Sequence, residues 1–152
     1  MKKNLLQPDV RAEIHSRIEK ITPANTRQWG KMDVLQGLRH MSEGVKISLG
    51  ETKVAGHNGK LKQSLMRFYI LKTDLPTPKA KAETFPEINM VERKIYPTDL
   101  EAEKNSLKQT IERFLASSAL EPVSPLLGKM SREDWARLHY SHMDHHLKQF
   151  GA

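Results

Sequence analysis

The sequence predicts an all-α protein, a helix bundle with a long crossover connection, on the basis of three observations. Apolar residues recur at helical spacing in five segments. No segment shows a sustained period of two with β-branched and aromatic residues, so strands are not expected to dominate. Two connections, residues 74–96 and 119–130, contain several prolines and are too long for tight turns. Five amphipathic helices with two long connections fit a bundle with a crossover.

The first two helices have well-marked ends. In the first, apolar residues follow one another at spacings of four and three, Pro8 suits the first turn, and Pro23 ends the helix. The second runs from about residue 32 to residue 49, and Gly50 stops it. Their apolar seams are Val10, Ile14, Ile18 and Ile21 in the first, and Val34, Leu38, Met41, Val45 and Leu49 in the second.

Three more helices follow, and the fourth and fifth have recognisable starts. The fourth begins at Thr98, because Thr98 and Glu101 have the spacing of a capping box. The fifth has Ser131 as its N-cap and two acidic residues, Glu133 and Asp134, in its first turn. The third helix is centred on Leu61, Leu65, Phe68 and Leu71, and the seam of the fourth is Leu100, Leu107, Ile111 and Phe114.

Length, charge and cysteine content limit the kinds of protein and site to consider. The 152 residues fit one domain over residues 1–152. No apolar run approaches the ~20 residues that span a bilayer, and the N-terminus lacks the apolar region of a signal peptide. We therefore expect a cytoplasmic protein without a membrane partner. Although the net charge is +7, Lys and Arg are mixed with acids along the chain, so nucleic-acid binding is not expected. Because there is no cysteine, any metal must be held by His, Asp or Glu.

Four of the seven histidines fall within eight residues of the fifth helix. Helical periodicity places them in one stripe with a tryptophan and a leucine, which should pack against the protein. Asp144, Leu147 and Lys148 turn away from this stripe, and Asp144 should face solvent. Imidazoles on a packed face need partners for their nitrogens, and a metal ion is a common one. The stripe consists of Trp135, Leu138, His139, His142, His145, His146 and Gln149.

His142 and His146 form the best pair of metal ligands in this stripe. They are four residues apart, so their Cβ atoms lie ~5–6 Å apart on a helix, and both rings can reach one ion at ~2.0–2.1 Å per bond. Met143 stands where the helical His-Glu-x-x-His motif has its general base, so a protease of that type is excluded. The spacing leaves His139 and His145 open as supporting groups, alternative ligands or ordinary hydrogen-bonded side chains.

A third ligand has to come from another part of the chain. His15 lies among polar residues and is interpreted as a surface residue, and His57 lies in a glycine-rich turn. His40 is flanked by Gly37 and Gly44, which leave room for a close approach. However, His40 lies away from the centre of the apolar seam, so spacing alone does not select it. A structural or exposed histidine cluster therefore stays open as the alternative to a metal site.

Two segments resemble motifs of the DinB-like (YfiT-like) superfamily. Residues 29–41, which run from a tryptophan to a His-Met pair, are similar to its Trp…Leu-x-His-hydrophobic segment. Residues 142–149, His-Met-Asp-His-His-Leu-Lys-Gln, resemble its His-x-x-x-His-Arg-x-Gln ending. Residues 75–79, 84–87 and 127–135 resemble a subgroup known only as a domain of unknown function. Taken together, the resemblance extends from about residue 11 to residue 151.

The resemblance implies a four-helix bundle, here with an extra short helix or loop, that binds a divalent transition metal through three histidines. Carried over residue by residue, the ligands are His40, His142 and His146. His146 is preferred to His145 because it lies three residues before Gln149. Nickel and zinc are the metals expected first, and iron suits the same ligands.

Two classes of function follow from the resemblance. The first is a metal-dependent thiol transferase or hydrolase that uses a small thiol or water as its nucleophile. No catalytic residue is assigned in this class, and Asp144 and His145 are the candidates for a general base. The alternative is a non-catalytic helical binding or dimerisation module with a structural or vestigial histidine cluster. Because relatives often dimerise through helix faces, a homodimer is expected.

Overall fold

The computed structural model describes residues 2–73, 75–79 and 84–152, and these residues are mostly helical. A π-helical turn, Phe68–Lys72, continues the third helix, and a 3-10 turn spans Pro86–Ile88. One small antiparallel sheet pairs β1 (Val123–Ser124) with β2 (Gly128–Lys129). The helices are α1 (Pro8–Glu19), α2 (Val34–Ser48), α3 (Lys60–Arg67), α4 (Leu100–Ala116) and α5 (Arg132–Gln149). No described helix is both long enough and apolar enough to span a bilayer.

Four helices enclose the core, because α1 and α2 each contact both α4 and α5. The predicted seam of α1 is buried along its whole length, and the seam of α2 is buried except at Leu49, which is partly exposed. Gly50, with a φ of +73°, ends α2 as predicted. Each large apolar side chain that is fully buried contributes roughly 1.5–3 kcal/mol to folding. The buried seams therefore hold α1 and α2 against α4 and α5.

The predicted start of α5 is confirmed, and that of α4 is one residue too early. At α5, Ser131 Oγ accepts a hydrogen bond from the backbone N–H of Asp134 at 3.1 Å. At α4 the cap is Asp99 rather than Thr98, since the Asp99 carboxylate accepts from the backbone N–H of Ala102 at 3.0 Å. Both carboxylates and hydroxyls satisfy the free N–H groups of a first turn, so the sequence pattern alone did not separate the two candidates.

The third helix differs from the prediction in which side it buries. Of the four apolar residues on which it was centred, only Leu71 is buried. The inward side of α3 instead carries Gln63 and Arg67, which hydrogen-bond to the loop around the small sheet. The π-helical turn that follows changes the phase of the helix, so that Ile70 and Leu71 reach the core.

Two residues of α5 that were predicted to turn away from the packed stripe are not free in solvent. Leu147 is fully buried, because α1 packs against this side of α5. Asp144, expected to face solvent, has a side chain that is only 20% exposed and lies 2.8 Å from the guanidinium of Arg17 on α1. Lys148 remains exposed and Trp135 is buried, as predicted. The fifth helix is therefore covered on two sides.

The connection predicted over residues 74–96 partly folds back onto α2. Met90 is fully buried, and Ile88 is nearly so. Gln36 on α2 donates a hydrogen bond from its Nε2 to the carbonyl oxygen of Ile95 at 2.9 Å. This contact gives α2 a second buried side, opposite its apolar seam. Residues 74 and 80–83, which include most of the Lys/Ala run at 79–82, lie outside the described residues.

The end of α5 packs closely on α2 at a glycine, and this contact yields a stability prediction. A Cβ atom added at Gly37 would lie 2.2 Å from Cε2 of the Phe150 ring. Overpacking a core costs up to about 3 kcal/mol, and alanine gains ~1 kcal/mol over glycine in a helix. With a contact this close, we expect Gly37→Ala to lower the free energy of unfolding by up to about 2 kcal/mol. Urea unfolding at equilibrium measures the difference.

Gly56→Ala is the matched control for this substitution. A Cβ atom at Gly56 would have no heavy atom within 4 Å, so its stability should match that of the wild-type protein. Equal stability of Gly37→Ala and the wild-type protein would contradict the close approach of the Phe150 ring.

Candidate metal centre

The structure brings His40, His142 and His146 together between α2 and α5. One ring nitrogen from each lies within 4.8 Å of the others. The three ring centroids are 4.7, 4.7 and 4.8 Å apart, and each pair of rings is close to perpendicular. Three imidazoles arranged edge to face around one point direct their nitrogens towards a common centre. Among the described residues, this is the cluster of His, Asp and Glu side chains that can hold a metal ion.

His40 is buried because the connection after the π-helical turn covers it. Its side chain is 3% exposed, and its Nδ1 lies 2.8 Å from the carbonyl oxygen of Ile88. A carbonyl oxygen can only accept, so Nδ1 carries the proton and the lone pair lies on Nε2. The position of His40 away from the apolar seam of α2 is thereby explained, since Ile88 and its neighbours form a second packed side.

His146 is oriented by a chain of two hydrogen bonds. Gln149 donates from its Nε2 to the carbonyl oxygen of Trp29 at 2.7 Å, which leaves its Oε1 as an acceptor. His146 Nδ1 lies 2.7 Å from that oxygen and therefore carries the proton. The lone pair of His146 is again on Nε2. Hydrogen bonds of this kind fix the tautomer and the ring orientation of metal-binding histidines.

His142 completes the cluster and is its one partly exposed member. Its Nε2 lies 2.8 Å from Nε2 of His40. Because the His40 proton is on Nδ1, the His142 nitrogen donates this hydrogen bond. Two ligands at right angles around one ion, each ~2.0–2.1 Å from it, would be about 2.9 Å apart. The pair is therefore already spaced for one ion.

Gly44 makes the position of the His142 ring possible. A Cβ atom at Gly44 would lie 2.8 Å from Cε1 and 3.0 Å from Nδ1 of that ring. The sequence prediction that the glycines beside His40 leave room for a close approach is thus confirmed at both positions, since Phe150 occupies the space at Gly37.

The environment keeps the three imidazoles uncharged. Burial lowers the pKa of His40 below its ordinary value of 6.5, although the hydrogen bond to Ile88 opposes this. Burial and the neighbouring rings lower the pKa values of His142 and His146 much further. A neutral imidazole is the form that binds a metal ion, because its free nitrogen must not be protonated. At neutral pH the three rings are therefore uncharged, and a cation requires in addition that the His142 proton move from Nε2 to Nδ1.

The two candidates for a general base differ in their surroundings. Burial raises the pKa of Asp144, but hydrogen bonds from Lys148 and Arg17 outweigh it and the net pKa is lowered. A carboxylate held by two cations is a poor base. His145 stays neutral, because burial lowers its pKa more than its contacts with the Thr77 backbone and Asp144 raise it. Its ring centroid is 5.0 Å from that of His146, so His145 lies beside the cluster rather than in it.

The remaining histidines do not join the cluster. His139 is buried and stacks on Trp135 with ring centroids 5.5 Å apart. Its Nε2 lies 2.9 Å from Ser48 Oγ, whose own proton goes to the carbonyl of Val45. His139 Nε2 is thus a donor, and the residue is an ordinary hydrogen-bonded core side chain.

His15 and His57 lie elsewhere. His15 packs beside Glu112 of α4 with a side chain that is 26% exposed, so it is less of a surface residue than predicted. His57 is exposed in the loop before α3, as its glycine-rich sequence predicts.

Two cavities lie near α5, and neither is a ready-made substrate pocket at the cluster. A cavity of about 50 Å³ lies beside His145 and has room for one or two water molecules. A groove of about 430 Å³ lies near the start of α5, between Arg67 and Met130, and no histidine lines it. The smaller cavity is lined by Trp29, Pro76, Thr77, Lys79, Asp144, His145 and Lys148.

The buried state of His139 makes stability depend on pH. Burial lowers the pKa of His139 from 6.5 to about 3. The unfolded chain therefore takes up this proton near pH 6.5 and the folded protein only near pH 3, so stability is lost as the pH falls through that window. We expect His139→Gln to reduce the slope of unfolding free energy against pH, between pH 6 and 5, by up to about 1.4 kcal/mol per unit. Urea unfolding in the presence of a chelator measures both slopes.

Glutamine is chosen because its amide can still donate to Ser48 Oγ while it cannot be protonated in this range. Equal slopes for the variant and the wild-type protein would mean that His139 does not resist protonation in the folded state.

A family model matches the chain over residues 2–152, and its description is a protein of unknown function, DUF1569. No curated protein matches the chain, and no solved structure matches it either. The match covers nearly the whole chain and establishes the family without bringing a function with it. The chain belongs to this family of proteins of unknown function, DUF1569.

Proposed function

We propose that this protein binds one divalent transition metal ion through His40, His142 and His146 and uses it as a metal-dependent thiol transferase or hydrolase. The observation that supports the proposal is the meeting of three neutral imidazoles, two buried and one partly exposed, whose ligand atoms lie within 4.8 Å of one another. Nickel and zinc are the proposed ions, and iron is an alternative with the same ligand preference.

The donor set fits a metal ion better than it fits an empty core. His40 and His146 each direct an Nε2 lone pair into the cluster, because their Nδ1 protons are used by a carbonyl and an amide oxygen. Two lone pairs and one donor remain there, so one of these acceptors lacks a proton partner within the triad. A cation would use both lone pairs, and it would use the third nitrogen as well once the His142 proton has moved to Nδ1.

The proposed chemistry follows from the charge of the ligands. Three neutral imidazoles leave a bound divalent ion its full charge and open positions, with which it lowers the pKa of a bound water or thiol. His142, the partly exposed ligand, marks the side from which a small thiol or other small substrate would enter. His145 is the neighbouring residue best suited to accept a proton, since it is neutral and Asp144 is not free.

The DinB-like resemblance is part of the same proposal. We propose that α1, α2, α4 and α5 correspond to the four helices of the superfamily's bundle and that α3 is the extra short helix. Support comes from the arrangement in which α1 and α2 each contact α4 and α5.

The first test is the metal content of the protein, purified without a histidine tag after growth with nickel and zinc. We expect about one ion per chain in the wild-type protein and none in His142→Ala, because two remaining ligands do not hold a cation firmly. Metal at 100 times its Kd should also stabilise the wild-type fold by about 2.7 kcal/mol. Plasma mass spectrometry and thermal unfolding provide the two measurements.

His57→Ala, which removes an exposed histidine outside the cluster, is the control and should keep its metal. A metal-free wild-type protein with an unchanged melting temperature would instead favour the non-catalytic helical module with a structural or vestigial cluster. The catalytic part of the proposal is tested separately. Consumption of a small thiol by an electrophile, and ester hydrolysis, are compared between loaded wild-type protein and His142→Ala.

A second test uses the close approach at Gly44. In Gly44→Ala the new methyl group displaces the His142 ring, since the present separation from Cε1 would be 2.8 Å. Loss of the support that orients a metal ligand typically lowers affinity by about 10–100-fold, and we expect a change of this size. Competition with a chromophoric chelator measures it. Gly56→Ala is again the control, and unchanged affinity in Gly44→Ala would argue against His142 as a ligand.

A further inference from the structure

The outward side of α3 is apolar, and no described part of the chain covers it. Leu61, Leu65 and Phe68 are 77%, 64% and 64% exposed. Their spacings of four and three residues align them in one row along the helix and its π-helical continuation. A row of three large apolar side chains in solvent is not needed for folding. Such exposed apolar surface usually marks an interaction site.

This exposure is not the result of a helix that fails to dock. On its inward side, Arg67 donates to the carboxylate of Asp134 at 2.7 Å and to the carbonyl of Lys129. Gln63 donates from Nε2 to the carbonyl of Pro125 at 3.5 Å. The helix is thus held to the protein by polar contacts and by Met66, which packs against the core, while Leu61 and Leu65 point outwards. The amphipathic pattern is oriented away from the core.

All charged side chains of residues 52–73 are basic, and of these Lys53 pairs with Glu121 and Arg67 with Asp134. Residues 52–73 contain five basic residues and no Asp or Glu, and no other stretch of the chain is as long without an acid. With five positive and no negative charges, this stretch contributes +5 of the net charge of +7. Lys60 and Lys62 lie on opposite sides of the row on the helix, and Lys72 lies at its end. All three are exposed. The basic residues are Lys53, Lys60, Lys62, Arg67 and Lys72.

We propose that this side of α3 binds the surface of a bilayer rich in anionic phospholipid. Leu61, Leu65 and Phe68 enter the boundary between headgroups and acyl chains, and the flanking lysines contact the phosphates. The proposal departs from the expectation of no membrane partner, which rested on the absence of a spanning segment. A helix that lies in the interface needs no such segment.

Charge and area favour a lipid surface over a second copy of the chain. Two α3 helices in contact would place lysines against lysines, and residues 52–73 offer no acid to pair with them. Three side chains at this exposure present on the order of 400 Å², about half of the ~800 Å² per partner in a stable interface. A nucleic acid would match the charge but would leave the apolar row in water.

Vesicle co-sedimentation tests the proposal. We expect the protein to bind vesicles that contain 30% phosphatidylglycerol and to remain in solution with pure phosphatidylcholine. Each lysine near an anionic surface changes the partition coefficient roughly 5-fold, so Lys60→Gln with Lys62→Gln should lower it roughly 25-fold. Leu65→Gln with Phe68→Gln should abolish binding at low and high salt.

The controls are Lys20→Gln with Lys31→Gln, which removes two exposed lysines elsewhere, and Val123→Gln, which removes an exposed valine.

Several results would overturn the proposal. They are equal binding to both kinds of vesicle, no loss in the Lys60/Lys62 double variant, or an equal loss in the two controls. Light scattering that shows a dimer, lost in the Leu65/Phe68 variant, would assign the surface to a second copy instead. Binding only to an acidic protein would also refute it. His142→Ala should bind vesicles as the wild-type protein does, so the outcome is independent of the metal.

Discussion

Three uncharged imidazoles meet between α2 and α5, and the way each ring is turned is set by contacts outside the cluster. Two of them are held by acceptors on the side away from the centre, the Ile88 carbonyl for His40 and the Gln149 amide for His146. Each acceptor takes the Nδ1 proton and so leaves the Nε2 lone pair for the cluster. An acceptor placed on the other nitrogen would reverse the ring and remove a ligand. The hydrogen bonds outside the cluster therefore determine what the cluster can bind.

The outer contacts explain parts of the fold that the core does not require. The segment around Ile88 covers α2 on the side opposite its apolar seam, and Gln36 holds it there through Ile95. The backbone of Trp29, just before α2, is the far end of the chain of hydrogen bonds that orients His146. Both contacts come from connections rather than from helices. In this protein the helices supply the histidines, and the connections fix how their rings are turned.

The helices could be predicted because each has an apolar seam of the correct period and a recognisable cap. The same periodicity does not say what covers a helix. It placed Leu65 in a core, yet Leu65 is exposed because polar contacts dock α3, and it turned Leu147 away from the packed stripe of α5, yet α1 buries it. For the same reason spacing alone did not select His40, whose burial depends on residues about 50 positions later in the chain. His40 was identified as a candidate ligand only through the resemblance.

His139 and His146 show a second limit of sequence analysis. Both belong to the same stripe of α5, and both are buried. His139 donates to the hydroxyl of Ser48 and stacks on an aromatic ring, so its position is satisfied without any further ligand. His146 donates away from the cluster and points its other nitrogen into it. The difference lies in the partners, which are up to about 90 residues away in the sequence.

Two glycines of α2 connect the stability of the fold with the geometry of the cluster. Gly37 and Gly44 lie one turn to either side of His40. The first receives the ring of Phe150, the C-cap of α5, and the second receives the ring of His142 within α5. These contacts set how closely the two helices approach. The separation of 2.8 Å between the His40 and His142 nitrogens depends on that approach, because the two rings belong to different helices. A side chain at Gly37 would separate the helices without touching a histidine of the cluster, and it would widen the cluster as well as destabilise the core. Helix packing and ligand spacing in this protein are therefore one constraint rather than two.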